Sequence, residues 1–129
     1  MIYKFNKGKQ CIDVAFLEHA SGGHTYGPFN FMNADKFVNM IDKMKNKAHE
    51  RGGLDVRSIY LLGCEVTPEF KKYVKHNLGT PVKTLPHVPN SRLEIIPGTR
   101  QFKYFQVTEN GNHHTIFQDH LKNIEDYLE

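Results

Sequence analysis

The segment IYLLGCEVTPEFKKYVKHNLGTPV, residues 59–82, decides the fold of this chain. It opens with an apolar run that ends at Gly63 and is typical of a strand buried on both faces. Thr67 is a good N-cap and proline suits the first helical position, so the sequence predicts a helix over residues 68–78. Residues 81–85 then predict another strand. A strand, a helix and a strand in this order indicate parallel strands joined by a right-handed crossover.

The segment upstream repeats this pattern. Residues 12–18, IDVAFLE, are a short apolar run that predicts a buried strand, and the glycine-rich stretch 19–27 follows it. Residues 34–50 carry apolar side chains at the three-and-four spacing of a helix face. Residues 57–62 predict the next buried strand, and the weaker alternation of residues 2–5 is typical of an edge strand.

Downstream of this region, residues 92–96 and 101–108 predict a hairpin, and residues 116–128 predict a last helix. The length of 129 residues suits one hydrophobic core. We therefore expect a single α/β domain over residues 1–129, in which a mostly parallel sheet is covered by helices and a hairpin and a helix follow at the C-terminal end.

Composition excludes several classes of protein. The net charge of +3 is spread over 17 basic and 14 acidic residues without aromatic-basic interleaving, which argues against a nucleic-acid partner. No apolar run has the length of a membrane span, and the N-terminal residues lack a secretory-signal pattern. We expect a cytoplasmic chain as given, or one that is secreted or delivered into a target cell as part of a larger protein. The two cysteines lack metal-ligand spacing, and the pair His113-His114 lacks a third ligand, so no metal site is predicted.

Two chemically versatile residues follow the predicted buried strands. His19 comes directly after the first strand and Cys64 directly after the second. Ligands of open parallel sheets bind beyond the carboxyl ends of the strands, so a histidine and a cysteine there are a candidate base and nucleophile. The start of the following helix would lower the pKa of a nearby thiol. His24, in the same glycine-rich stretch, is the alternative base.

Other residues near these strand ends have candidate roles. The backbone amides of Gly22 and Gly23 could approach a substrate carbonyl, as an oxyanion hole requires. Glu65 could orient an imidazole or bind a basic substrate group, and Phe29 could line the cleft. Structural roles remain open for all of them, because a cysteine at a strand end is more often a buried apolar residue and glycines often serve only a turn.

The chain resembles the caspase-like cysteine peptidases of clan CD, and most nearly the cysteine protease domains of bacterial RTX-type and polymorphic toxins. The matching residues are His19-Ala20-Ser21-Gly22-Gly23 with Gly27, then Ile59-Tyr60-Leu61-Leu62-Gly63-Cys64, then Leu78-Gly79-Thr80-Pro81-Val82. The likeness covers positions 12–85, and Ala20 stands where the family usually has glycine. It implies a three-layer caspase-like sandwich with a mostly parallel central sheet flanked by helices.

The resemblance also implies an activity. His19 would be the catalytic histidine and Cys64 the nucleophile of a thiol protease, with the amides near Gly22 and of Cys64 holding the oxyanion. Peptide bonds would be cleaved through a thioester acyl-enzyme, with no metal or organic cofactor. The implied partners are a protein or peptide substrate and a cognate inhibitor or immunity protein, as for a bacterial toxin or effector domain. The competing hypothesis is a non-catalytic protein-binding module, such as an immunity or adaptor protein on a degenerate caspase-like scaffold.

Overall fold

The computed structural model describes residues 2–17, 33–63 and 66–129. In chain order the elements are β1 (Ile2–Asn6), β2 (Cys11–Leu17), α1 (Ala34–Gly52), β3 (Asp55–Leu62), α2 (Pro68–Leu78), β4 (Val82–Thr84), β5 (Ser91–Ile95), β6 (Gln101–Val107), β7 (His113–His120) and a 3-10 helix (Leu121–Tyr127). None of the helices in these ranges has the length and apolar character that spanning a membrane requires.

The first four strands form one sheet in the order β1-β2-β3-β4. Strands β2, β3 and β4 run parallel, and β1 pairs antiparallel with β2 at the edge of the sheet. The expected mostly parallel sheet is therefore confirmed, as is the edge position of the first strand. The crossovers through α1 and α2 place β2 beside β3 and β3 beside β4.

Local signals in the sequence set the ends of both helices. The Asn33 side chain accepts a hydrogen bond from the Lys36 amide at 3.0 Å, and the Thr67 hydroxyl accepts one from the first turn of α2. Gly53 ends α1 with a φ of 64°, and Gly79 ends α2 with a φ of 62°. Both values lie in the left-handed region that glycine adopts at low cost, so the helices stop where glycine stands.

The two faces of the mixed sheet are covered by different elements. Side chains of Val14 and Phe16 on β2 pack against α1 and α2. The residue between them, Ala15, points to the opposite face and joins a second core with Tyr60 and Leu62. That second core is closed by the 3-10 helix and by an antiparallel sheet of order β5-β6-β7. Because successive side chains of β2 and β3 point to opposite faces of the sheet, these two strands contribute to both hydrophobic clusters.

The C-terminal region differs from the expected hairpin and helix. The hairpin of β5 and β6 is present, but the predicted helix over residues 116–128 is wrong. Residues up to His120 form a third strand, β7, and only a 3-10 helix follows. The ring of Phe117 packs on Phe102 at 5.8 Å and on Tyr104 at 5.0 Å. The spacing of apolar residues there fits either structure, and pairing with β6 decides for the strand.

Candidate active site and a buried polar cluster

The carboxyl ends of β2 and β3 lie side by side. Leu17, the last residue of β2, is the register partner of Leu62, the last residue of β3, and the two strands are parallel. In the sequence, His19 and Cys64 each follow these residues by two positions. The candidate site residues themselves lie outside the described residues: His19, Gly22, Gly23, His24, Phe29, Cys64 and Glu65. Their mutual geometry therefore stays a prediction.

An aromatic cluster holds this edge of the sheet together. Phe16 near the end of β2 meets Phe37 in the first turns of α1, with ring centroids 5.5 Å apart. Phe37 in turn lies 5.7 Å from Phe70 in the first turn of α2. All three rings are buried. The cluster therefore fixes the end of β2 and the starts of α1 and α2 relative to one another.

The start of α2 is a weaker source of hydrogen bonds than a typical helix N-terminus. Pro68 has no N–H, and the Phe70 amide donates to the Thr67 hydroxyl at 3.1 Å. Glu69 adds a negative charge to the same turn. An effect of α2 on the thiol of Cys64 would therefore act mainly through the field of the helix dipole, and Glu69 would offset part of that field.

Sequence reasoning missed a polar cluster at the opposite end of the same strands. Asp13 of β2 is fully buried, and its carboxylate accepts hydrogen bonds from Arg57 Nε at 2.9 Å and Nη2 at 2.6 Å. The Tyr60 hydroxyl contacts Asp13 and lies 2.7 Å from a carboxylate oxygen of Glu125 in the 3-10 helix. One hydroxyl proton thus serves two carboxylates, and the cluster joins the mixed sheet to the C-terminal segment.

Three cations neutralise the two carboxylates. Glu125 contacts Lys7 at 2.8 Å, Lys83 at 2.9 Å and Arg57 at 3.2 Å. Hydrogen bonds from Lys7, Lys83 and Tyr60 lower the pKa of Glu125. Burial acts to raise the pKa of Asp13, but the bonds from Arg57 and Tyr60 outweigh it and leave that pKa lowered.

The protonation states of these residues favour a structural role for the cluster. Burial and the two neighbouring carboxylates raise the pKa of Tyr60. With the pKa values of Asp13 and Glu125 lowered, both carboxylates are charged and the phenol is neutral at pH 7. None of the three titrates near neutral pH, as a general acid or base would. The signal in the sequence was an aspartate inside the apolar run of β2 and an arginine at the start of the run of β3.

The histidines and cysteines of the described residues do not form a metal site. His113 stacks on Phe105 with ring centroids 4.5 Å apart, so it packs on a neighbouring strand. Within residues 2–17, 33–63 and 66–129, no group of three or more histidine, cysteine or acidic side chains is placed to hold a metal ion. Cys11 is a half-buried free thiol at the start of β2.

No protein-family model matches this chain, and no curated protein matches it either. The fold therefore defines the class on its own: a mixed α/β protein whose described residues form a mostly parallel sheet with two helices on one face and an antiparallel sheet on the other.

Proposed function

We propose that the chain is a cysteine peptidase of the caspase-like kind, with Cys64 as nucleophile and His19 as base. The observation that carries the proposal is the register of Leu17 with Leu62, which ends two parallel neighbouring strands at one edge of the sheet. Neighbouring strands are about 5 Å apart, and two extended residues reach at most about 7 Å. These lengths are what the proposal requires for the side chains of His19 and Cys64 to meet.

The proposed reaction proceeds in two steps. The Cys64 thiolate attacks the carbonyl carbon of a peptide bond, and the amides of Gly22 and Cys64 donate to the resulting oxyanion. The C–N bond then breaks, His19 gives the leaving amine the proton that it took from the Cys64 thiol, and a thioester remains. His19 next takes a proton from water, and the hydroxide attacks the thioester. The C–S bond then breaks, the acid product leaves, and the Cys64 thiolate and protonated His19 are restored. His24 is the alternative base, and Glu65 and Phe29 are candidate substrate contacts.

The biological role proposed with this chemistry is that of a bacterial toxin or effector protease. Its substrate would be a protein or peptide, and a cognate inhibitor or immunity protein would be its partner. The flanking sandwich would be the three-layer caspase-like one, with a central sheet between two covering layers. The likeness of positions 12–85 to clan CD enzymes supports this assignment.

The test compares the two thiols of the same chain. Iodoacetamide should alkylate Cys64 much faster than Cys11 at pH 7, because only Cys64 is expected to be an activated thiolate. Cys64→Ala should abolish cleavage of a fluorogenic peptide library, and Cys11→Ala should leave it intact. Separate His19→Ala and His24→Ala variants identify the base. Equal, slow labelling of both cysteines, or full activity in Cys64→Ala, would reject the peptidase and favour a binding module.

A further inference from the structure

The helix-facing side of β1 is not covered by either helix. Tyr3 and Phe5 point to the second core, whereas Ile2, Lys4 and Asn6 point to the other side and are exposed. Helices α1 and α2 pack over β2, β3 and β4. Among the described residues, the helical layer therefore stops one strand short of the sheet edge, and Ile2 remains 53% exposed there.

This arrangement leaves a groove between β1 and α1, with a cavity of about 650 Å³. Its floor is apolar and comes from Ile12 and Val14 of β2 and Val56 of β3. Its wall on α1 consists of Met40, Met44 and Ala48, which recur every four residues and so form one row. Ile12 and Val56 are near the starts of their strands, so the groove lies at the end of the sheet opposite the proposed dyad.

A row of cations runs beside the apolar row. Lys43, Lys47 and Arg51 also recur every four residues on α1, and Lys4 faces them from β1. No acidic side chain of the described residues lines the groove. In that same part of the chain, none of these four cations forms an ion pair. The groove thus combines an apolar floor with positive side chains on both sides that form no ion pair among the described residues.

We propose that this groove binds an amphipathic helix of a partner protein, with its apolar face on the floor and acidic side chains along the α1 row. The row favours a helix over a single-headed amphiphile. Four residues of helix rise about 6 Å, so three cations span about 12 Å, and acidic residues at the same spacing can meet all of them. A fatty acid would engage only one. The flexible methionines suit such helix-in-groove contacts.

The incoming helix would complete the helical layer at the spacing at which helices normally pack, about 8–10 Å from α1. The site is separate from the carboxyl edge of β2 and β3, so a bound partner leaves that edge open. The groove therefore recruits a partner without blocking the proposed peptidase, and its test does not depend on peptidase activity.

The experiment uses the whole chain and a fluorescein-labelled peptide helix. The peptide carries leucines on one face and three glutamates at four-residue spacing beside them, and fluorescence anisotropy measures its dissociation constant. We expect binding that weakens at 0.5 M NaCl. Lys47→Glu should weaken it at least about tenfold, because it replaces an attraction by a repulsion. Met44→Gln should weaken it several-fold, and Lys72→Glu, an exposed lysine on α2, should leave it within about twofold.

The controls separate the partner classes. A peptide with lysine in place of glutamate should not bind. Any binding of the protein to vesicles of phosphatidylcholine and phosphatidylserine should be unchanged by Lys47→Glu. The proposal is overturned if the acidic peptide fails to bind, if both peptides bind alike, or if Lys47→Glu and Lys72→Glu behave the same. If the protein binds the vesicles and not the acidic peptide, and Lys47→Glu weakens the vesicle binding, the groove is a membrane-binding surface. Circular dichroism of each variant confirms that it is folded.

Discussion

Replacing Asp13 with asparagine tests the buried polar cluster, because the change keeps the size of the side chain and removes its charge. The fully buried carboxylate accepts two hydrogen bonds from Arg57 and contacts the Tyr60 hydroxyl. An asparagine amide would turn a donor toward these donors. Loss of one partner of a buried charge pair costs about 3–5 kcal/mol. Arg57 is 46% exposed and keeps Glu125, so we expect a smaller loss of about 2 kcal/mol.

The assay is urea unfolding followed by circular dichroism. At pH 7 the midpoint should fall while the slope stays the same, which indicates lost stability rather than a changed unfolded state. The pKa of Asp13 is lowered from its ordinary 3.8 in the folded protein. Its charge therefore stabilises the fold above that pH, and the contribution is lost as the pH falls through the folded pKa. The difference between wild type and Asp13→Asn should be full at pH 7 and narrow below about pH 4.

Asp55→Asn is the matched control. Asp55 pairs with His49 at 3.2 Å, but its side chain is 73% exposed, so its loss should change stability by less than about 0.5 kcal/mol. If Asp13→Asn costs no more than this control, or if its effect is independent of pH, the cluster does not hold the mixed sheet to the C-terminal segment and the reasoning fails.

Three further predictions concern packing and backbone. Phe37→Ala should lower the free energy of unfolding, measured in urea, by about 3–4 kcal/mol, whereas Ile2→Ala at an exposed position should lower it by less than about 0.5 kcal/mol. Similar losses for the two variants would show that the aromatic cluster is not part of the core. Gly53→Ala should lower the free energy of unfolding by about 1 kcal/mol because φ is 64°, whereas Gly52→Ala, inside α1, should be neutral or stabilising; the reverse order would contradict the cap. Tyr60→Phe should lower the free energy of unfolding by about 1 kcal/mol, since both carboxylates keep their cations. A loss as large as that of Asp13→Asn would show that the hydroxyl contributes as much as the buried charge.

Elements with local signals were predictable from the sequence. The predicted and observed bounds of α2 agree, because the Thr67 cap, a proline and Gly79 define its ends without reference to the rest of the chain. The parallel order of β2 and β3 followed from the crossover rule. By contrast, β7 forms because it pairs with β6, and no local sequence pattern indicates that pairing. The sequence therefore predicted a helix for part of residues 113–120.

The buried polar cluster could not be predicted for a similar reason. Asp13 and Arg57 stand 44 positions apart, and Tyr60 and Glu125 stand 65 apart. Their meeting depends on strand register and on how the 3-10 helix crosses the sheet. The candidate dyad needed only the rule that neighbouring parallel strands end at one edge, and the ends of β2 and β3 follow that rule. The roles of His19 and Cys64 remain predictions because these residues lie outside the described part of the chain.

The division of the sheet between two covers has a consequence for biosynthesis. Strands β1 to β4 and both helices are complete once residue 84 has been synthesised, but the layer over Tyr60 and Leu62 comes from residues 91–128. At ribosomal rates of about 5–20 residues per second, those final 40 or so residues take roughly 2–8 s. During that interval the nascent chain presents an uncovered apolar face, and Lys7, Arg57 and Lys83 have not yet met the carboxylate of Glu125. Translation paused in this window would hold the chain in its most aggregation-prone form, which makes it a natural client of ribosome-associated chaperones.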